Sequence, residues 1–512
     1  GMIADADSRE DFEIPYSEAF EAYFQEHCKA FQLLEIVPEL VWDLSDGSHV
    51  KKRYYYRDAL AECFTQSYMD QICAWCRKHG IFMTGHVLAE TPLTTQTETV
   101  GECMRSYRNM DIPGFDVLCD DECFVEAKQS VSVARQLGRP GTVSEMYGVT
   151  GWDCSFETYK RQGDWQAALG VTRRVPHLSF MSMGGEAKRD WPASISFQSP
   201  WYREFPYIED HFARVNTALR SGKPEVHIGV IHPVESMWLL WGPQEQTAAA
   251  REQLEEQFDE TVHWLLLSQL DFDFIAESLL PELNHGQVDD RFQVGEMAYD
   301  TVLVPGCLTM RCSTLERLKA FRKAGGKVVF MGAPAKYVDA EPSEEVREFA
   351  AECEMIRFSH TELLEAMEDV REISIHTADG RMADRYLYQM RDDADGKWLF
   401  IAQGLREDNI DVPQTRRLTI RLKGEYAVEE YDTLHGTHHP LNAEIQDGYT
   451  VLVHEMSDHD SLLLRLTPGK ASSGQEMARE PQYIRVQKPW GRMPITLSEP
   501  NVLLLDMAEA SL

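Results

Sequence analysis

Positive charge is scarce in this chain of 512 residues, where 50 Lys and Arg face 84 Asp and Glu for a formal charge of −34. Nucleic-acid binding rests on clustered Lys and Arg, and so does attraction to an anionic membrane surface, so neither partner is expected. Long apolar runs are missing too: none approaches the roughly 18 residues that a membrane-spanning helix needs. The opening residues, Gly1 to Asp7, carry no basic stretch followed by an apolar one, so no secretory signal is expected. Paired cysteine spacing is also absent. The eleven cysteines are odd in number and scattered from Cys28 to Cys353, which suits a reducing, cytoplasmic setting better than a disulfide framework. One C-x-x-C occurs, Cys73 to Cys76, inside a helical run and with no second ligand pair, so it reads as two helix-face cysteines and not as zinc or redox chemistry. No H-E-x-x-H is found. Asp120-Asp121-Glu122 could hold a structural calcium ion, but acidic triplets are usually solvated helix starts; otherwise no metal and no cofactor are expected. Neutral ligands remain, with carbohydrates the obvious class.

What is present is a real core: 43% hydrophobic and 26% charged residues, ordinary values for a globular protein. The length suggests three or four domains. The predicted fold class is α/β multidomain. Over residues 1–222 short apolar strands (Met2–Asp5, Ile81–Val87, Phe115–Leu118, Thr142–Met146, Thr172–Ser179) alternate with helical patterns (Ser17–Cys28, Tyr54–His79, Phe124–Leu137, Ser155–Leu169, Ile208–Ser221). That alternation predicts a parallel sheet covered by helices. Gly138 and Gly170 fall where helix C-caps belong. About five β/α units can be counted, whereas a closed TIM-type (β/α)₈ barrel has eight; either the barrel is incomplete at its N-terminus or other strands come from elsewhere. Residues 223–365 predict a small doubly wound α/β domain, without a G-x-G-x-x-G after its first strand. Over 366–470 the period shifts to two, with Asp-Gly turns at 379–380, 395–396 and 447–448, predicting an antiparallel β-sandwich. Residues 471–512 read as the start of a further β domain, with a strand-like run at Asn501–Leu505.

Barrel enzymes carry their chemistry at the C-terminal ends of strands. Here those ends offer His86 and Glu90, Asp116, Ser144-Glu145-Met146, and His177. Two carboxylates at one mouth are what glycoside hydrolysis requires: one protonates the leaving oxygen, the other acts as base or nucleophile. Glu90 and Glu145 lie on next-but-one strands, about 10 Å apart at the backbone, which leaves retaining and inverting geometries both open. Trp152, Trp201 and their neighbours Trp191 and Tyr202 are loop aromatics that could stack on a pyranose, though such rings also pack over barrel ends. Arg189-Asp190 could bind hydroxyls or form a surface ion pair. His86 and His177 could donate hydrogen bonds to a sugar or serve the structure alone.

Several strings resemble a group of large bacterial glycosidases related to the alpha-L-rhamnosidases. They are Tyr54-Tyr-Tyr-Arg-Asp58, Thr84-Gly85-His86 with Glu90, Ile112-Pro113-Gly114-Phe115-Asp116, Lys128-Gln129, Ser144-Glu145-Met-Tyr-Gly148, Gly151-Trp152-Asp153 and Gln198-Ser199-Pro200-Trp201. The second unit is similar to the amidotransferase-like middle domain of such enzymes and of some β-galactosidases, where it carries no glutaminase chemistry. Cys307 lacks a nucleophile-elbow context. The resemblance implies catalytic roles for Glu145 and Glu90 and a sugar pocket lined by His86, Asp116, Trp152 and Asp153. It also implies that this chain corresponds to an internal segment of a longer enzyme. Where family members end a strand in a Thr-Asp-Glu-Pro-like string, Ala4-Asp5-Ala6-Asp7 stands here, so Ala6 replaces a glutamate. The expected function is O-glycosyl hydrolysis; the alternative is a catalytically impaired carbohydrate-binding or scaffolding fragment. Strand edges left by missing units would favour self-association, so a homo-oligomer is expected.

Overall fold

The computed structural model describes residues 14–470, apart from 183, 186–194, 196, 198, 287, 288, 408, 410 and 411, together with 494 and 496. The strand expected at Met2–Asp5, Ala6 and the segment expected to open a further domain lie outside the described residues, as do Arg189 and Trp191.

Four parallel strands, β1 (Thr84–Gly85), β2 (Ile112–Leu118), β3 (Val143–Gly148) and β4 (Arg173–Pro176), stand side by side in chain order as a half-barrel. β1 is far shorter than the apolar run 81–87 predicts. Around Met83 the ladder gives out at Asp111: the Asp111 and Ile112 N–H groups both donate to the Met83 carbonyl, while the Met83 N–H donates to the Asp111 carboxylate and not to a strand. The expected helix over 54–79 is also broken. It runs as Ser48–Phe64, then a π-helical turn at Thr65–Met69, then Asp70–Lys78, with the Thr65 hydroxyl donating to the Ala61 carbonyl. A side chain that competes for a helical carbonyl in this way loosens the ladder locally. Cys73 and Cys76 are buried on the last of these segments.

Helix α1 (Phe124–Gln136) follows β2 and α2 (Phe156–Leu169) follows β3, each ending at a glycine in the left-handed region: Gly138 at φ +60° and Gly170 at φ +115°. That is where a Cβ would cost most. Gly163 within α2 serves contact instead. A Cβ there would lie 2.2 Å from the Phe212 ring of α3 (Phe205–Leu219), so glycine is what lets the two helices approach.

The second sheet is fully parallel, with β5 (Ile228–Ile231), β6 (Phe272–Ile275), β7 (Thr301–Val304), β8 (Lys327–Met331) and β9 (Glu354–Ile356) in the spatial order β9-β8-β7-β5-β6. β6 is therefore an edge, and α1 covers it with polar side chains. Ser132 accepts from the Phe274 N–H (2.8 Å) and Gln136 donates to the Phe274 carbonyl (2.7 Å). Lys128 and Arg135 of the same helix pair with Asp271 and Asp273. The buried polar face of α1 is thus explained: an uncovered strand edge would leave backbone groups unsatisfied.

Beyond residue 366 two antiparallel sheets face each other across a core of Ile375, Leu399, Ile420, Val428, Leu452 and Leu464. The hairpin turn at Asp447-Gly448 has positive φ at both residues, the geometry that matches strand twist. Lys223–Pro224 pairs with Tyr386–Asp393, so the sandwich takes an edge from residues that the sequence assigns to the start of the second unit.

Candidate active site

Asp116 of β2 and Glu145 of β3 are register partners in adjacent parallel strands, so their side chains emerge on the same face. His86, one residue past β1, reaches the same place. Its Nε2 lies 3.5 Å from Glu145 Oε2, and a ligand atom of each of the three side chains falls within 4.8 Å of the others. The His86 Nδ1 is bound to the Val87 carbonyl (2.7 Å), which fixes the ring with Nε2 toward the carboxylates. The side chains of His86 and Glu145 are each about a third exposed (32% and 33%). Asp116 is less accessible: its Oδ1 is buried without a hydrogen bond. Burial, then the charge of Glu145, raises its pKa.

The backbone at these strand ends is unusual. Register slips by one residue between Asp116 and Leu118, placing a bulge on β3 just after Glu145. Ala89, Cys119, Tyr147 and Val149 all have φ near +60°, a conformation costly for residues with a Cβ and most so for a β-branched one. Tyr147 is held there by three bonds: its N–H to Gln162, its hydroxyl to the Tyr159 carbonyl, and Arg174 to its oxygen. Strain of this kind persists where surrounding structure over-determines it, and bulges of this kind re-aim a side chain.

Glu90 lies deeper. It is 6% exposed, with Tyr107 donating to its carboxylate at 3.5 Å. Its main-chain carbonyl is clamped by the amides of Gln96 and Gln129 (2.5 and 3.1 Å). Burial pushes its pKa up to about 7, opposed by the nearby His86 and reinforced by Glu126 and Asp116. A carboxyl that keeps its proton to near neutrality stands close to the more exposed His86 and to Asp116, an arrangement that acid–base chemistry can use. Glu126 and Gln129, both on α1, and Tyr107 shape this environment. Nothing in the sequence singles out Glu126 or Tyr107, because their approach to Glu90 is tertiary.

The remaining candidates are spread wider. His177 follows β4, close against Gly148, with its Nδ1 buried and without a hydrogen bond; its charge acts on Asp116. Trp152 is half-buried and Asp153 exposed in the loop after β3. Trp201 sits edge-on to Phe156 (6.4 Å between centroids) in a hydrophobic cluster with Phe205 and Phe212. Asp120 and Glu122 both pair with Arg161, so a guanidinium stands where the acidic triplet could have held calcium. Cys307 is buried and its thiol pushed well up by burial, which removes it as a nucleophile.

No protein-family model matches this chain, and no curated protein matches it. Solved structures do share its fold. A rhamnosidase from Novosphingobium sp. PP1Y superposes with a TM-score of 0.67 at 17% identity, over 93% of this chain and 45% of that one. A catalytic mutant of a GH42 beta-galactosidase from G. stearothermophilus gives 0.57 at 10% identity, over 88% and 75%. The beta-galactosidase from Bacillus circulans sp. alkalophilus gives 0.56 at 12%, over 89% and 78%. The chain spans less than half the length of the rhamnosidase. The architecture is therefore one found in glycoside hydrolases, a half-barrel followed by parallel and antiparallel sheets. Among the described residues no helix is long and apolar enough to cross a membrane.

Proposed function

We propose that this chain is a glycoside hydrolase acting on O-glycosyl bonds, alpha-L-rhamnosidase-like or beta-galactosidase-like, with Glu90 and Glu145 as its carboxylate pair. One observation carries the reading. In a fold shared with glycosidases, a buried carboxyl held protonated to about pH 7 lies behind an open cluster of His86, Asp116 and Glu145 at strand C-terminal ends. Glu90 is the general acid, giving its proton to the leaving oxygen as the glycosidic bond breaks. Glu145 supplies the opposing carboxylate, as base toward water or as nucleophile on an oxocarbenium-like centre. His86, fixed through Nδ1, orients Glu145; Asp116 and His177 offer hydrogen bonds to sugar hydroxyls, and Trp152 and Asp153 close the pocket from the following loop. The reading includes a TIM-type barrel, a carbohydrate substrate, a cytoplasmic setting and self-association, and it requires no cofactor.

The test is hydrolysis of a panel of aryl glycosides, rhamnosides and galactosides included, by the purified chain beside Glu145→Gln. Turnover that disappears in the variant supports the assignment; equal turnover in both overturns it. A second reading, sugar binding without turnover, is favoured by the half-barrel itself, which has four strands among the described residues where a closed barrel has eight. Under that reading the panel gives no turnover from a chain that still binds sugars and melts cooperatively.

A further inference from the structure

Away from the strand ends, a groove of about 550 Å³ runs between α3 and the larger sandwich sheet, and none of its lining residues belongs to the cluster around Glu145. Its floor is aromatic. Trp398 and Tyr431 meet edge to face, with centroids 4.9 Å apart and planes at 75°, making a corner in which His438, also lining the groove, stacks on one face of Tyr431 (5.2 Å, 17°). Arg465, which does not line the groove, lies over the Trp398 ring at 5.0 Å, so one ring face is occupied on the sheet side. The indole N–H of Trp398 makes no hydrogen bond among the described residues and is not buried, leaving a free donor at the corner.

The opposite wall is the outer face of α3 and the turn after it. There the Thr217 hydroxyl donates to the Ala213 carbonyl (2.7 Å) and the Ser221 hydroxyl to the Thr217 carbonyl (3.1 Å). With their protons spent on the helix, both oxygens are left as acceptors. The cation of the groove is also spent: Arg214 donates to the Thr433 and Leu434 carbonyls and pairs with Asp210. No uncompensated positive charge is left to attract an anion, and the chain as a whole carries −34. The complement of this surface is a neutral molecule with an apolar C–H face to lay on the rings, hydroxyls that donate to Thr217 and Ser221, and an oxygen that accepts from Trp398. That describes a pyranose, and a groove of this volume holds a mono- or disaccharide.

We infer that the groove between α3 and the sandwich is a second carbohydrate-binding site, one that takes neutral sugars without acting on them. The geometry stands by itself; only the expectation that this sugar is part of the hydrolysed glycan rests on the proposed activity. A site of this kind holds a long substrate while another part of it reaches the strand ends.

The experiment is calorimetric titration of galactotetraose and of methyl α-L-rhamnopyranoside into the full chain carrying Glu145→Gln, with tryptophan fluorescence as a second signal. Ala213→Trp, at an exposed position of α3, fills the groove without removing core contacts. Trp398→Phe keeps the ring and deletes the free N–H. The expected result is a sugar-binding event, separate from any at the strand ends, that Ala213→Trp abolishes and Trp398→Phe weakens about 3- to 10-fold, the cost of one hydrogen bond. Turnover of small aryl glycosides by Ala213→Trp in the otherwise native chain stays unchanged. Unaltered sugar binding in Ala213→Trp overturns the inference, as does a native chain whose groove is covered by a second copy, seen as a dimer that Ala213→Trp dissociates in light scattering. If the chain turns over no glycoside but loses sugar binding with Ala213→Trp, the activity fails and this site stands.

Discussion

Two parallel sheets in this molecule end in chemistry-bearing side chains, and they treat them in opposite ways. At the half-barrel, His86 and Glu145 stand about a third exposed beside Asp116. At the doubly wound sheet, His232, Glu235, Glu277 and Cys307 also gather past strand C-termini, and all are buried. The helix Val234–Leu240 lies over that edge, and Ser236 on it accepts from the Leu308 N–H. Tyr54 of the first unit donates to Glu235 (2.9 Å), while Arg311 bridges Glu235 and Asp58 at 2.6 and 2.7 Å. Sealing has electrostatic consequences. His232 has neither ring nitrogen bonded, packs against Phe258 and Phe274, and is held neutral by burial, which lowers its pKa to about 3. Burial likewise raises the pKa values of Glu235 and Glu277. Parallel topology offers a crevice at strand ends in both sheets; whether it becomes a site is decided by what lies across it.

The sharpest way to break this comparison is to change one chemistry-bearing side chain at each edge. Glu145→Gln is expected to lower kcat about 10³-fold, within the range of acid–base and nucleophilic contributions, while Cys307→Ser leaves steady-state turnover of an aryl glycoside within about two-fold. If Cys307→Ser matches the loss, the sealed edge is not inert. Next in size is Glu90→Gln, expected to cost about 10²-fold and to change the pH profile. With its pKa raised to about 7, the free-enzyme kcat/KM falls as pH rises through that value, and the variant loses this alkaline limb.

Arg311→Met attacks the seal. It leaves Glu235 buried without its cation, and urea unfolding is expected to show a loss of about 3 kcal/mol, with the aryl-glycosidase KM unchanged. Smaller still is the pH dependence of stability from the buried pair. Glu235 and Glu277 have folded pKa values raised above the ordinary 4.5, so the folded state holds protons that the unfolded chain has released. Stability therefore falls as pH rises from about 4.5 through the raised values. Glu277→Gln flattens that slope in thermal melts across pH 5 to 8; an unchanged slope would remove Glu277 as its source.

Much of this contrast was invisible in the sequence. Strand ends were legible, because short apolar runs bounded by Gly138 and Gly170 mark β/α units, and so Asp116 and Glu145 could be named as neighbours of one mouth. The depth of Glu90 was not. It depends on Gln96, Gln129 and Tyr107 converging from three other segments. The run at 81–87 shows why periodicity overreaches: its residues are apolar enough for a strand, yet Asp111 takes the Met83 N–H that a ladder would have used. Lys128-Gln129 stood out only as part of a resemblance. The partners of Lys128, Asp271 and Asp273, lie in another sheet, beyond the reach of any local pattern. Asp120 and Glu122 could not be told from a cation site until Arg161 was seen between them.

The edge of β6 carries a consequence of its own. Its Phe274 amide and carbonyl are bound not by a neighbouring strand but by Ser132 and Gln136 of a helix that belongs to the half-barrel. The helix cannot leave without exposing the Phe274 backbone, and β6 cannot leave without unpairing the buried Ser132 and Gln136 side chains. Under native conditions, deuterium should reach the Phe274 amide only as fast as the whole assembly opens. The stretch joining the open mouth to the sealed one would then behave as a single foldon, and breathing at the His86–Asp116–Glu145 cluster would end at α1.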